Sequence, residues 1–186
     1  MKNTHIIDIA HHLMRSYITK DDIVVDMTMG NGYDTLFLAH ISKYVYAFDI
    51  QKQALESTQK RLDQNNITNA KLILDSHGHI NQYVSQYKYV IYNLGYLPNG
   101  DKSITTISQT TLASLKTVLS DLIADGIVFM VIYPGHEEGK KESECLEDYF
   151  KTIDHRFFKV VKTHLPYQHL NPPYLVMIYK KELNNC

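Results

Sequence analysis

The chain predicts an α/β fold in which a mostly parallel, seven-stranded sheet carries helices on its faces and ends in a C-terminal antiparallel hairpin. Three observations lead there. Short apolar runs alternate with helical stripes along almost the whole sequence. A glycine turn, Gly30-x-Gly32, follows the first run. The last two runs lie about ten residues apart, too close for a crossover helix. The length of 186 residues suits one domain, 1–186, with a full core and neither linker nor repeat.

Taken in order, Ile6, Ile9, Leu13 and Tyr17 recur at helical spacing and predict an amphipathic helix over residues 4–17, with His5, His11 and His12 on its solvated face. Neighbours such as His11 and His12 point about 100° apart on a helix and make a poor metal pair, so no metal site is expected. Strands follow at 23–27 ("IVVDM"), 44–50, 70–75, 88–94, 126–133, about 156–163 and 174–180. Between them, Ala54, Leu55, Thr58 and Leu62 form one helical stripe. Leu112, Leu115, Val118, Leu119 and Leu122 form a second, and Leu146, Tyr149, Phe150 and Ile153 a third.

Composition narrows the function. The hydrophobic fraction is 44%, and no run approaches the ~18 apolar residues of a membrane span, so no membrane partner is expected. The start, "MKNTHIIDIAHHLMRSY", lacks the continuous apolar core of a signal peptide, which points to the cytoplasm. Cys145 and Cys186 lie far apart, with no metal-ligand spacing and no disulfide framework. A formal charge of −1 attracts no polyanion globally, so any nucleic-acid contact falls to a local patch such as Lys140, Lys141, Lys159 and Lys162. Oligomeric state is open between a monomer and a homodimer.

In "VVDMTMGNGYDTLFLA", Asp26 ends the first strand, and Gly30, Asn31 and Gly32 precede a helix that begins near Tyr33 or Asp34. Glycines there let the backbone approach a ligand, and the helix start offers unpaired N–H groups. A dinucleotide fingerprint would place a third glycine where Thr35 stands, which counts against a nicotinamide or flavin enzyme. Asp49 ends the second strand, where a carboxylate can accept two hydrogen bonds from a ribose diol, and Asp75 ends the third, followed by Ser76 and His77. Acids at three successive strand ends beside a glycine turn resemble the class I S-adenosylmethionine-dependent methyltransferase fold, as does the terminal hairpin. That resemblance implies a cofactor site built from Asp26, Gly30, Asn31, Gly32, Asp34, Thr35, Asp49, Asp75, Ser76, His77 and Asn93.

A narrower resemblance runs from about residue 4 to 181. "DMTMGNGYDT", "AFDIQ", "LDSH", "YNLGYLPNGDKSITT" and "YPGH" are similar, in that order, to the motifs of a small bacterial rRNA-methylase family, whose members include a tRNA 5-aminomethyl-2-thiouridine methyltransferase. The resemblance implies methylation of an aminomethyl nitrogen on the wobble uridine of tRNA, with the anticodon arm as partner.

In this fold the substrate side is built at the end of the fourth strand, here "NLGY". Asn93 stands where amino-methyltransferases carry the first residue of Asn/Asp-Pro-Pro-Tyr and is the candidate to orient an amine, with Tyr96, Leu97 and Pro98 as an apolar wall. The departure from Pro-Pro to Leu-Gly argues against close analogy with adenine or glutamine methyltransferases. His136, at the end of the fifth strand, is the candidate proton acceptor or simply a helix cap, and Tyr133 a stacking surface or core. Methylation of a pyrimidine C5 would need a cysteine nucleophile, and neither cysteine falls at a strand end. The segment "NPPY", Asn171 to Tyr174, spells the amine-methyltransferase motif but lies about 78 residues past the fourth-strand site. It reads as a rigid turn, from which Tyr167, Asn171 and Tyr174 could still wall the substrate mouth. Alternatives are a methyltransferase of rRNA or of a small-molecule amine, and a non-catalytic RNA-binding protein of the same fold.

Overall fold

The computed structural model describes residues 5–95, 108–167 and 171–182. Its elements run α1 (Ile6–Tyr17), β1 (Ile23–Asp26), α2 (Tyr33–Ile41), β2 (Tyr44–Asp49), α3 (Lys52–Gln64), β3 (Ala70–Leu74), a 3-10 helix (His77–Gln82), β4 (Tyr89–Leu94), α4 (Ser108–Asp121), β5 (Ile127–Ile132), α5 (Glu137–Phe150), β6 (Phe158–Thr163) and β7 (Tyr174–Lys180). The seven strands form one sheet in the order β3-β2-β1-β4-β5-β7-β6. Pairings from β3 across to β5 are parallel, and β7 runs antiparallel to both β5 and β6. The order reverses between β1 and β4, so the ligand crevice of such a sheet opens beyond the carboxyl ends of these strands.

β5 shows why the sequence folds this way. Its run "IVFMVI" is buried throughout. Val128, Met130 and Ile132 join a cluster with Tyr92 of β4 and Leu115 and Val118 of α4. Ile127, Phe129 and Val131 join a second cluster with Ile6, Ala10 and Met14 of α1 and Leu38 of α2. A central strand covered on both faces needs no polar alternation, and each large apolar side chain so buried contributes about 1.5–3 kcal/mol. β6, at the sheet edge, has no fully buried residue and carries the exposed Lys159.

One helix lies differently from its predicted stripe. The buried face of α1 is Ile6, Ala10 and Met14, while Ile9 and Leu13 are half-buried and Tyr17 is 37% exposed. The small Ala10 lets the helix settle close on the sheet, and this rotation brings His11 to the edge of the buried face. The 3-10 helix was not predicted at all: in "HGHINQ" only Ile80 is apolar, and it is fully buried. Among the described residues no helix is long and apolar enough to cross a membrane.

Candidate active site

β1 delivers Asp26 to the base of the glycine turn, fully buried. Its Oδ1 accepts the Thr28 N–H (3.0 Å) and its Oδ2 accepts the Thr35 hydroxyl (2.6 Å). Burial, and then the charge of Asp34, push its carboxyl up to about 7. Asp26 and Thr35 therefore brace the turn from beneath, where sequence reasoning had expected them to meet the cofactor.

The turn needs its glycines for two reasons. Gly30 and Gly32 have φ of 51° and 77°, and a Cβ on Gly32 would sit 2.7 Å from the Thr58 side chain. Neighbouring elements stitch the loop down. The Gly30 N–H donates to Asp49 Oδ2 (3.0 Å), Thr58 Oγ1 donates to the Gly30 carbonyl (3.0 Å), and Arg61 Nε donates to the Asn31 carbonyl (2.7 Å). The Arg61 guanidinium also lies 3.6 Å from the Tyr33 ring centroid.

Asp49 is half-buried, and its Oδ1 accepts the Gln51 N–H (2.9 Å). Burial raises its carboxyl above the usual range. Both oxygens accept backbone donors, and the carboxylate keeps capacity for a diol hydroxyl. Together with the first-turn N–H groups of α2, which have no intrahelical acceptor, this set fits an adenosyl cofactor.

Asp75 is engaged by the Ser76 N–H (2.7 Å), His79 Nδ1 (2.9 Å) and the Tyr83 hydroxyl (2.8 Å). The His79 bond, first among these, holds its carboxyl below the usual range. Ser76 caps the 3-10 helix, its Oγ accepting the Gly78 N–H (3.2 Å). His77, expected at the cofactor, instead turns inward. It is 8% exposed, its ring lies edge-on to Tyr92 with centroids 5.9 Å apart, and burial pushes it down to about 4. At the β3 end the cofactor candidates reduce to Asp75 and Ser76.

At the β4 end, Asn93 is held by its backbone and its amide. Its N–H donates to Thr28 Oγ1 (2.7 Å), and its Nδ2 donates to Asp34 Oδ2 (2.8 Å). Asp34, in the first turn of α2, also accepts from His11 Nε2 on Oδ1 (2.6 Å). Among the described residues no donor reaches the buried amide oxygen of Asn93. His11 was expected in solvent; its partner comes from another helix, 23 positions on, and no local pattern announces it.

Tyr133 is half-buried beside this group. A Cβ on Gly95 would lie 3.5 Å from its ring, and burial followed by the Asp34 charge pushes its hydroxyl up to about 12. His136 caps α5, its Nδ1 accepting the Gly139 N–H (2.8 Å). Nδ1 is thus engaged by the backbone at the start of α5. Of the two roles the sequence offers for His136, the helix cap is the one seen here. A Cβ on Gly139 would collide with the Tyr133 carbonyl, so a glycine is needed for α5 to start this close to Tyr133.

Tyr96, Leu97 and Pro98 lie outside the described residues. Tyr167 stands 97% exposed. Asn171 is exposed with φ 46°, and its carbonyl lies 3.8 Å from where a Gly135 Cβ would be, so the β6–β7 connection does return to the sheet end that carries the site. Tyr174, expected at the mouth, belongs to the core: it is 5% exposed and its hydroxyl pairs with Ser143 Oγ of α5 (2.9 Å). The lysine patch is largely neutralised as well. Lys140 lies 3.9 Å from Glu144, Lys141 lies 2.8 Å from Glu138, and Lys162 lies 2.8 Å from Glu147.

A doubly wound sheet closed by an antiparallel hairpin, with a glycine turn answered by an acid at the end of β2 and an asparagine at the end of β4, defines the class I S-adenosylmethionine-dependent methyltransferase fold. A family model described as "Putative rRNA methylase" matches residues 45–179, and the chain belongs to that family. It is 36% identical over 94% of its length, and 69% of the relative's, to an Arabidopsis thaliana protein named tRNA (mnm(5)s(2)U34)-methyltransferase, chloroplastic. Among solved structures, it matches a protein of Streptococcus mutans, described as a "putative methyltransferase" in complex with SAH, at 40% identity and a TM-score of 0.88, over 95% of this chain and 98% of that one. A "putative rRNA-methylase" of Clostridium thermocellum matches at 36% identity and a TM-score of 0.91, over 97% and 100%.

Proposed function

We propose that the chain is an S-adenosylmethionine-dependent N-methyltransferase acting in the cytoplasm on the aminomethyl group of 5-aminomethyl-2-thiouridine at the wobble position of tRNA, met through the anticodon arm. The observation that carries this reading is the amide of Asn93. Its Nδ2 is committed to Asp34, while its buried oxygen meets no donor among the described residues. A carbonyl oxygen in that state is complementary to an N–H group, which an amine has and an unmodified uracil C5 lacks. The name of the Arabidopsis relative supports the same substrate.

When bound, S-adenosylmethionine supplies a sulfonium methyl whose S–C bond breaks with its electron pair staying on sulfur, as the amine lone pair forms the N–C bond; the methylammonium formed then loses one proton. The residues of the chain have positional tasks. Asp49 and the Gly30–Gly32 turn would hold the adenosyl part, Asn93 Oδ1 orients the amine, and Tyr133 narrows the space beside it. Alignment at near-attack distance is the main contribution such a site makes, because the methyl donor is already activated.

An isolated anticodon stem-loop bearing the aminomethyl group should accept methyl from S-adenosylmethionine, and the same stem-loop with plain uridine should not. Mass spectrometry of the nucleosides decides. Equal methylation of both RNAs, or activity on assembled ribosomes alone, overturns the assignment in favour of an rRNA enzyme.

A further inference from the structure

The group behind Asn93 extends further than the reaction requires. The His11 ring lies parallel on Phe37, with centroids 3.8 Å apart at an interplanar angle of 6°, and the Arg15 guanidinium lies 4.7 Å from the Phe37 centroid. Phe37 stands three residues beyond Asp34 on α2, so the stack and the His11–Asp34 bond clamp α1 to the first turns of α2 at one place. The Asp34 side chain is 9% exposed and that of His11 23%.

Asp34 as a carboxylate is acceptor-only, and this fixes the sense of the Asn93 amide. With Nδ2 drawn to Asp34 Oδ2, the oxygen is turned away from the carboxylate; a flipped amide would set two acceptors against each other. A carboxylate this buried keeps its position only while its own oxygens are satisfied, and Oδ1 is satisfied by His11.

We infer that His11 is a positioning residue for methyl transfer: it holds Asp34, Asp34 orients the Asn93 amide, and Asn93 Oδ1 presents the acceptor to the substrate amine. This rests on the proposed function for its last link alone; the first two are internal to the protein. The role differs from general support of the fold, because a donor of another shape at position 11 should restore it. His11→Gln carries an amide N–H that can reach Asp34, whereas His11→Ala carries none.

The test compares the intact wild-type protein with His11→Ala, His11→Gln and, as a control, His12→Ala, a substitution at an exposed position. With the aminomethyl stem-loop, His11→Ala should lower kcat at least ~10-fold while KM for S-adenosylmethionine stays within about twofold. His11→Gln should recover most of the loss, and His12→Ala should match the wild type. In parallel, proton–nitrogen NMR of the Asn93 side-chain amide, recorded without RNA, should give a resolved, slowly exchanging pair in the wild type and His11→Gln but not in His11→Ala. Wild-type kcat in His11→Ala, a His11→Gln as slow as His11→Ala, or an Asn93 signal indifferent to position 11 overturns the inference. If the wild type itself leaves the stem-loop unmethylated, the proposed function falls, and the NMR comparison still decides the role of His11.

Discussion

At the scale of single residues, Asp49 has two jobs that separate on mutation. It accepts the Gly30 N–H, which steadies the glycine turn, and it retains capacity for a ribose diol. Asp49→Ala should weaken S-adenosylmethionine binding at least ~10-fold, since one charge-assisted hydrogen bond is worth about 1.5–3 kcal/mol. Calorimetry with S-adenosylmethionine checks this, and unchanged affinity removes Asp49 from the cofactor site. The places of Asp49 and Asn93 at the ends of β2 and β4 could be read from sequence because each closes an apolar run. His11 could not be read that way. Large apolar residues drew the predicted stripe through Ile9 and Leu13; a stripe drawn through Ala10 and Met14 would have set His11 at the border of the buried face. His77 failed for the opposite reason, because a polar residue after a strand reads as site while its ring packs against Tyr92.

At the scale of elements, the sheet was legible wherever burial is two-sided, since a strand such as β5 needs an unbroken apolar run, and β7 has the bounds its sequence indicates. Contacts between helices were not legible. Thr111 of α4 donates to Glu142 of α5 (2.7 Å) across a buried seam, and burial pushes the Glu142 carboxyl up from 4.5 to about 7. The folded state therefore holds this proton more tightly than the unfolded state does. The stability it contributes is fully present below pH 4.5 and is lost as pH rises through about 7. Glu142→Gln keeps an acceptor for Thr111 but never ionises. Its melting temperature should equal that of the wild type at pH 4.5 and exceed it at pH 8 by roughly 7–14 °C. Parallel melting curves across that range would show instead that Glu142 ionises without cost and that the seam is wet.

At the scale of the whole molecule, the question is how a chain of formal charge −1 holds an RNA. Lys140, Lys141 and Lys162, which sequence offered as a basic patch, each lie within 4 Å of a glutamate, and Lys159 sits on the edge strand β6. Exposed pairs of this kind contribute only about 0–1 kcal/mol each, so they break easily, yet they leave little net positive potential to draw a phosphate backbone from a distance. On the proposed function, affinity comes mainly from the modified base itself, placed at Asn93 beside Tyr133, with few phosphates neutralised. Counterion release turns this into a number. If roughly three phosphates of a single-stranded loop are engaged, the logarithm of the binding constant should fall with the logarithm of salt concentration at a slope of about −2. Removing the aminomethyl group should cost far more affinity than raising the salt from 50 to about 200 mM, a change that by itself should weaken binding only ~20-fold. Titration of a fluorescent anticodon stem-loop at several salt concentrations measures both. A slope steeper than about −5, or equal affinity for the unmodified loop, would mean that the chain carries a basic RNA track and that the base is not what anchors the complex.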